Sequence, residues 1–355
     1  MLPYLLLVFI PIIIYLIGLS KGKKYNKACI IAFFSILIIL LAFRSIEIGT
    51  DSKAYFITFN KISNLQFGNL LHFSEKEEFL FYFLNKIVSY IGGDFQFFLL
   101  VCALISILPL LFLYKKEVNN SVLSISLFLI VAPFSIYFSG IRQSLALGVV
   151  AIAFKFIKEK KIIPFLLLIL MASYFHKSAI FCLILYPLYH VKITNRWLIF
   201  IIPIMTCVFL FREQIFSLIL QFISTNFYES YNYIKPTGAF SILILLSAFA
   251  VYSYLLPDKS KLDNDFIGLR NFLLMAICIQ FFASINSQIM RINYYLLLFV
   301  PLLIPKVKEK SKNGNFKLVN LIEFIMIVFF ISSFFYKGFI DDDVLNIFPY
   351  IPFWW

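Results

Sequence analysis

The sequence predicts an all-α polytopic membrane protein, and three observations carry that expectation. Of the 355 residues, 62% are hydrophobic and only 14% are charged. Apolar runs recur along the chain, many near the length of about 20 residues that a helix needs to cross a bilayer. The lysines and arginines gather in short loops between those runs, which is the pattern of cytoplasmic loops. In hydrocarbon a backbone must satisfy its own polar groups, so the spans are helical. No internal repeat, low-complexity tract or long linker divides the chain, and 1–355 reads as a single integral membrane domain. Outer loops are expected near 44–94 and 212–238, with an outer C-terminal tail over 336–355.

The elements follow in order. The run 2–19 lacks a basic flank before it and is followed by Lys21, Lys23, Lys24 and Lys27, which predicts an uncleaved first span entering from outside. A second span over 28–43 returns the chain to the outer side at Arg44. Residues 80–91 are apolar but cover only about half of the hydrocarbon core at about 1.5 Å per residue, so they are read as a re-entrant or interfacial helix. Gly92, Gly93 and Asp94 close it. Residues 95–114 then run inward and 122–138 outward. From Ser139 to Ser178 the chain forms a hairpin: Arg142 opens one helix, Lys155 to Lys161 make the turn, and a second helix climbs back to His176. Further spans are expected over 178–190, 197–211, 239–256, 266–285, 292–305 and 317–335, for about 12 in all. With this parity the inner loops at 21–27, 115–116, 155–161, 192–196, 259–261 and 306–317 hold 19 of the 31 lysines and arginines. Counting 80–91 as a span would invert every later loop.

The formal net charge of +13 does not indicate a nucleic-acid partner, because the basic residues form no single stripe. Cys29, Cys102, Cys182, Cys207 and Cys278 lie in apolar segments at irregular spacing, which excludes a disulfide framework and a cysteine zinc site. Asp341, Asp342 and Asp343 have no His or Cys beside them and read as a solvated loop, so no metal is expected. In the loop 212–238, Phe227, Tyr228, Tyr231 and Tyr233 read as an interfacial aromatic belt or as faces for sugar rings.

The outer face collects Arg44, Asp51, Tyr55, Glu77, Glu78, Arg142, Gln143, His176, Arg291 and Tyr350. Arginines close to hydrocarbon are rarely retained without an anionic partner. The guanidinium fork suits phosphate oxygens, so a pyrophosphate at this face is the natural ligand. Plainer roles stand beside that one: Arg44 snorkelling at a helix end, Arg142 paired with Glu77, His176 as a structural hydrogen-bonder, and Glu323 paired or snorkelling at the inner end of its span.

These positions form an ordered set: Arg44 with Gly49-Thr50-Asp51 and Tyr55, then Glu77/Glu78-Phe79, Gly140-Ile141-Arg142-Gln143, Phe175-His176-Lys177-Ser178, Arg291 with Tyr295, and Phe348-Pro349-Tyr350. The set resembles the EpsG/Wzy-type polysaccharide polymerases over nearly the whole chain. The resemblance implies a GT-C-like glycosyltransferase of the bacterial inner membrane. It would join oligosaccharide repeat units carried on undecaprenyl pyrophosphate into O-antigen, capsular or exopolysaccharide at the outer face. It further implies that Arg142, Arg291 and Arg44 bind the departing pyrophosphate. Glu77, Glu78 or Asp51, or else His176, would accept the proton of the acceptor hydroxyl; a carboxylate is taken as the base and His176 as a positioning or pyrophosphate-binding group. Tyr55, Gln143, Tyr295 and Tyr350 would contact substrate, with no metal and no cofactor. The bilayer, a chain-length regulator and a flippase are the partners so implied. Two alternatives are a ligase that transfers finished polymer and a flippase of lipid-linked sugars. The flippase would carry charged groups along a path through the bilayer, whereas the middles of these spans are almost free of charge.

Overall fold

A computed structural model describes residues 1–20, 25–70, 78–131, 133–223, 239–286, 288–340 and 345–355. Among these residues there is helix and loop but no strand. The helices are α1 (Leu2–Ser20), α2 (Asn26–Ala42), α3 (Ser52–Ser63), α4 (Phe79–Tyr90), α5 (Phe95–Glu117), α6 (Ser121–Ile130), α7 (Ile136–Ser139), α8 (Ile141–Lys158) and α9 (Ile162–Phe175). A 3₁₀ helix over Lys177–Ile184 leads to α10 (Leu185–His190), α11 (Leu198–Leu210), α12 (Arg212–Ile223), α13 (Ala239–Leu255) and α14 (Asn264–Ala283). They are followed by α15 (Gln288–Leu297), α16 (Val300–Leu303), α17 (Lys306–Lys310) and α18 (Phe316–Phe339). The chain divides into two compact units, Met1–Leu183 with Leu321–Trp355, and Ile184–Asn320.

Among the described residues four helices, α1, α5, α14 and α18, are long and apolar enough to cross a membrane. The count is five if the pair Lys177–His190 and Asn195–Leu210, bent by 115°, is one span. The remaining apolar helices are shorter. Several expected spans are broken where proline or glycine interrupts the backbone ladder. The run 122–138 is a ten-residue α6, a break at Pro133 and the single turn α7, which ends at Gly140. The run 292–305 is divided between α15 and α16, with Pro301 at the start of the second. The segment 80–91 forms the twelve-residue α4, as its length and its Gly92-Gly93 terminator predict. The region 44–94 therefore carries helices α3 and α4, and α12 opens the region 212–238.

In the first unit α8 is the central helix, buried along most of its length. It packs antiparallel on α9 and crosses α5 closely at Gly148, where an added Cβ would stand 2.5 Å from the Ile105 carbonyl oxygen and 2.8 Å from the Ser106 Cα. Asp94 caps α5 by accepting from the Phe97 N–H at 2.8 Å, and Asn120 caps α6 by accepting from the Leu123 N–H at 3.2 Å. At the end of α8 that carries Lys158, the Asn120 amide donates to Glu323 at 3.1 Å, and Lys158 pairs with Glu117 at 2.7 Å.

The C-terminal segment folds over the end of α2. The Ser45 N–H donates to the Ile351 carbonyl at 2.8 Å, the Gly49 N–H to Asn346 at 2.8 Å, and the Phe353 N–H to Phe43 at 3.0 Å. Tyr4 sits beneath it, fully buried among Phe134, Phe138, Phe334 and Phe348, and its hydroxyl donates to the Ile347 carbonyl at 2.6 Å. Gly49 has φ +89° and its Cα lies against the Phe138 carbonyl, so no side chain fits there. The hydroxyls of Thr50 and Ser139 meet at 2.6 Å and lock the same approach.

The second unit is built on α14, capped by Asp263 accepting from the Phe266 N–H at 2.8 Å. Arg270, within the expected span 266–285, is 1% exposed; its guanidinium lies 3.7 Å over the Tyr254 ring and donates to the Ile193 carbonyl at 3.0 Å. Asn293 donates to Gln280 at 2.8 Å, and Gln280 donates to the Ala239 carbonyl at 3.0 Å. The five cysteines are free.

Because the neighbours of Gly148 are backbone atoms that cannot rotate away, Gly148→Val should force α5 and α8 apart at a cost of about 1–3 kcal/mol. A thermal-unfolding midpoint of the detergent-solubilised protein equal to that of wild type would show that the helices do not need this close approach.

Candidate functional site

The hairpin of α8 and α9 sets the level of two polar residues. Arg142 lies about 24 Å and His176 about 21 Å above the Lys158–Lys161 turn at a rise of about 1.5 Å per residue, so both stand at the same end of the pair. Gly140 breaks the chain before α8, which leaves Arg142 in the first helical turn. His176 ends α9 in an extended conformation, with its N–H donating to the Ala172 carbonyl at 2.9 Å.

A third element joins them. Glu78 precedes the first residue of α4, and its carboxylate is shared between the hairpin's two helices. Arg142 Nη1 donates to Oε2 at 2.7 Å. His176 Nδ1 lies 2.6 Å from Oε1, and the Lys177 backbone N–H donates to the same oxygen at 3.1 Å. The Glu78 side chain is 5% exposed, against 18% for His176 and 32% for Arg142, so the carboxylate is the floor of the site and the arginine its rim. Tyr55 from α3 and Phe81 from α4 hold the guanidinium between them, each ring centre 5.8 Å from its carbon. Their own rings meet edge to face at 5.5 Å.

Burial pushes the Glu78 carboxyl up, but the hydrogen bond of His176, with the Arg142 charge and the Lys177 N–H, more than reverses this and holds it below its ordinary value. With both oxygens engaged, Glu78 is a poor proton acceptor and a good orienting group. Its bond to Nδ1 fixes the imidazole so that Nε2 is the other ring nitrogen, with no partner among the described residues.

The remaining expected site residues are distributed differently. Glu77, the carboxylate expected to pair with Arg142, lies outside the described residues, as do Phe227, Tyr228, Tyr231, Tyr233 and Asp341 to Asp343. Asp51 is half-buried just before α3, one turn ahead of Tyr55. Gln143 is 1% exposed, inside the helix packing. Arg44 is 2% exposed and touches neither Glu78 nor His176: it donates to the Leu41 carbonyl at 2.8 Å and lies 5.9 Å from the centre of the Phe138 ring. Tyr350 donates to the Leu40 carbonyl at 3.0 Å and closes the C-terminal segment over α2. Arg291 is half-buried on α15 of the second unit, and Tyr295 on the same helix is fully buried. Phe81 was not among the expected residues; its place one turn after Glu78 on a short amphipathic helix is the signal that would have found it.

Since the folded-state value of Glu78 is depressed, its contribution to stability is complete above the ordinary carboxyl value of 4.5 and is lost as pH falls through the depressed value. Glu78→Gln should therefore lower the unfolding midpoint at neutral pH, by an amount equivalent to about 2 kcal/mol, and the gap to wild type should close on acidification. A gap that stays constant down to acid pH would show that the carboxylate charge does not hold this site.

No curated protein and no solved structure matches the chain. The EpsG family model matches residues 27–351, a stretch that takes in every residue of the Glu78, Arg142 and His176 cluster, and the chain belongs to the EpsG family.

Proposed function

We propose that this protein is a polysaccharide polymerase of the bacterial inner membrane, with a GT-C-like fold of about 12 spans and its site on the periplasmic or outer face. Its donor is a glycan chain on undecaprenyl pyrophosphate and its acceptor a second lipid-linked repeat unit. Membership of the EpsG family supports a polymerase-type glycosyltransferase function. The single observation that carries the mechanism is the carboxylate shared by Arg142 and His176.

In the proposed reaction the acceptor hydroxyl attacks the anomeric carbon of the donor. The bond from that carbon to the pyrophosphate oxygen breaks, and its electron pair leaves with the lipid pyrophosphate. The hydroxyl proton passes to His176 Nε2, which Glu78 orients through Nδ1 and stabilises once charged. This reading moves the base from a carboxylate to the imidazole, because both Glu78 oxygens already accept hydrogen bonds. Arg142, one-third exposed at the rim, and the Lys177 side chain would neutralise the departing pyrophosphate. Arg291 is a further candidate for that anion. No metal is assigned, and a chain-length regulator and a flippase remain the proposed partners.

His176→Ala should reduce elongation of a purified lipid-pyrophosphate-linked repeat unit by about 10²–10⁴-fold, and Arg142→Ala by about 10²–10³-fold. Added imidazole should restore part of the His176→Ala activity and none of the Arg142→Ala activity. A polymer ladder of unchanged length from either variant, with normal membrane insertion, would overturn the mechanism.

A further inference from the structure

An apolar groove of about 360 Å³ runs between α4 and α9, lined by Phe79, Leu80, Leu167, Leu170, Met171 and Tyr174. The four α9 residues recur at i, i+3, i+4 and i+7, so they form one stripe along the helix. That stripe is about 10 Å long at 1.5 Å per residue. All four are exposed by 40% or more. Among the described residues no charged side chain lines the groove. One end of it meets the site: Phe79 follows Glu78 directly, and Tyr174 lies two residues before His176.

A groove that is apolar along its length and ends at an arginine, a lysine and a histidine suits one kind of ligand. It must be a single apolar chain with an anionic head, narrow enough to lie along one stripe between two helices. We infer that this groove holds the first part of the polyprenyl tail of the pyrophosphate-linked substrate and so sets the head group against Arg142. The inference rests on the proposed polymerase reading for the identity of the head group, and on the groove alone for the path of the tail. The exposed faces of α1, α11 and α18 are as apolar, but the described residues place no comparable ionic cluster at the end of a groove there. The tail leaves the bilayer sideways between α4 and α9, and the sugar-bearing end stands over Glu78 and His176.

The full-length protein in lipid nanodiscs, irradiated with a polyprenyl pyrophosphate carrying a diazirine near the head of its tail, tests the path without requiring turnover. Label is expected on Leu167, Leu170 or Met171, removed by excess unlabelled polyprenyl pyrophosphate and unaffected by phosphatidylglycerol. Label that phosphatidylglycerol removes equally well would make the groove a seat for bulk lipid and overturn the proposal, as would label confined to other helices. In the elongation assay, Leu170→Trp should raise KM about tenfold for a polyprenyl-linked substrate and by much less for an analogue whose alkyl group, an ethyl, is too short to enter the groove. Equal effects on both substrates would also overturn it. Correct labelling without any elongation would leave the groove standing and remove the polymerase reading instead.

Discussion

The first unit depends on one buried carboxylate. Glu78 is almost completely withdrawn from water, where an uncompensated charge would be very costly. It is tolerated because three donors from the α8–α9 hairpin converge on it: a guanidinium, an imidazole and a backbone N–H. The same requirement fixes geometry. To satisfy Glu78, the start of α4, the first turn of α8 and the residues that end α9 must be held together, and Tyr55 and Phe81 must close on the guanidinium. Electrostatic need and helix packing thus specify the same arrangement, and the rim of that arrangement is open.

The packing that delivers these groups is made by small residues at close approaches. Gly148 lets α8 lie against the backbone of α5, and Gly49 lets the loop after α2 lie against the Phe138 carbonyl. The breaks at Pro133 and Gly140 turn the chain between α6 and α8, so that α8 starts with Arg142 at the level of His176. The C-terminal segment then covers the end of α2 through backbone hydrogen bonds and the Tyr4 and Tyr350 hydroxyls. This encloses Arg44. Its position next to the outer end of a span looked like a ligand-binding position in the sequence, but the tail that buries it is some 300 residues away and carries no local signal.

What was legible in the sequence was what depends on local periodicity and length. The helical class, the short α4 and the α8–α9 hairpin follow from apolar runs, a Gly-Gly terminator and a lysine-rich turn. The juxtaposition of Arg142 and His176 follows from counting residues on the two arms. That Glu78 meets them was not legible, because this turns on where α4 begins. The breaks at Pro133 and between α15 and α16 were hidden because apolar composition continues across them; hydropathy reports an environment, not an unbroken hydrogen-bond ladder. The number of hydrogen bonds that Glu78 accepts, on which the proposed choice of base rests, was not legible either.

That last point decides how chemistry is divided at the site. A carboxylate engaged by three donors has its ionised form stabilised, and a group so stabilised gives up proton affinity. An imidazole held through Nδ1 by such a carboxylate is fixed in one orientation, with Nε2 as its other ring nitrogen. The neighbouring groove adds the complementary constraint. Its apolar stripe ends where the polar cluster begins, so the proposed ligand seated across both would have its apolar part in the groove and its charged part against Arg142. The proposed reaction would then take place at the boundary between hydrocarbon and water, where charge interactions are less screened than in bulk solvent and an acceptor could arrive from the aqueous side.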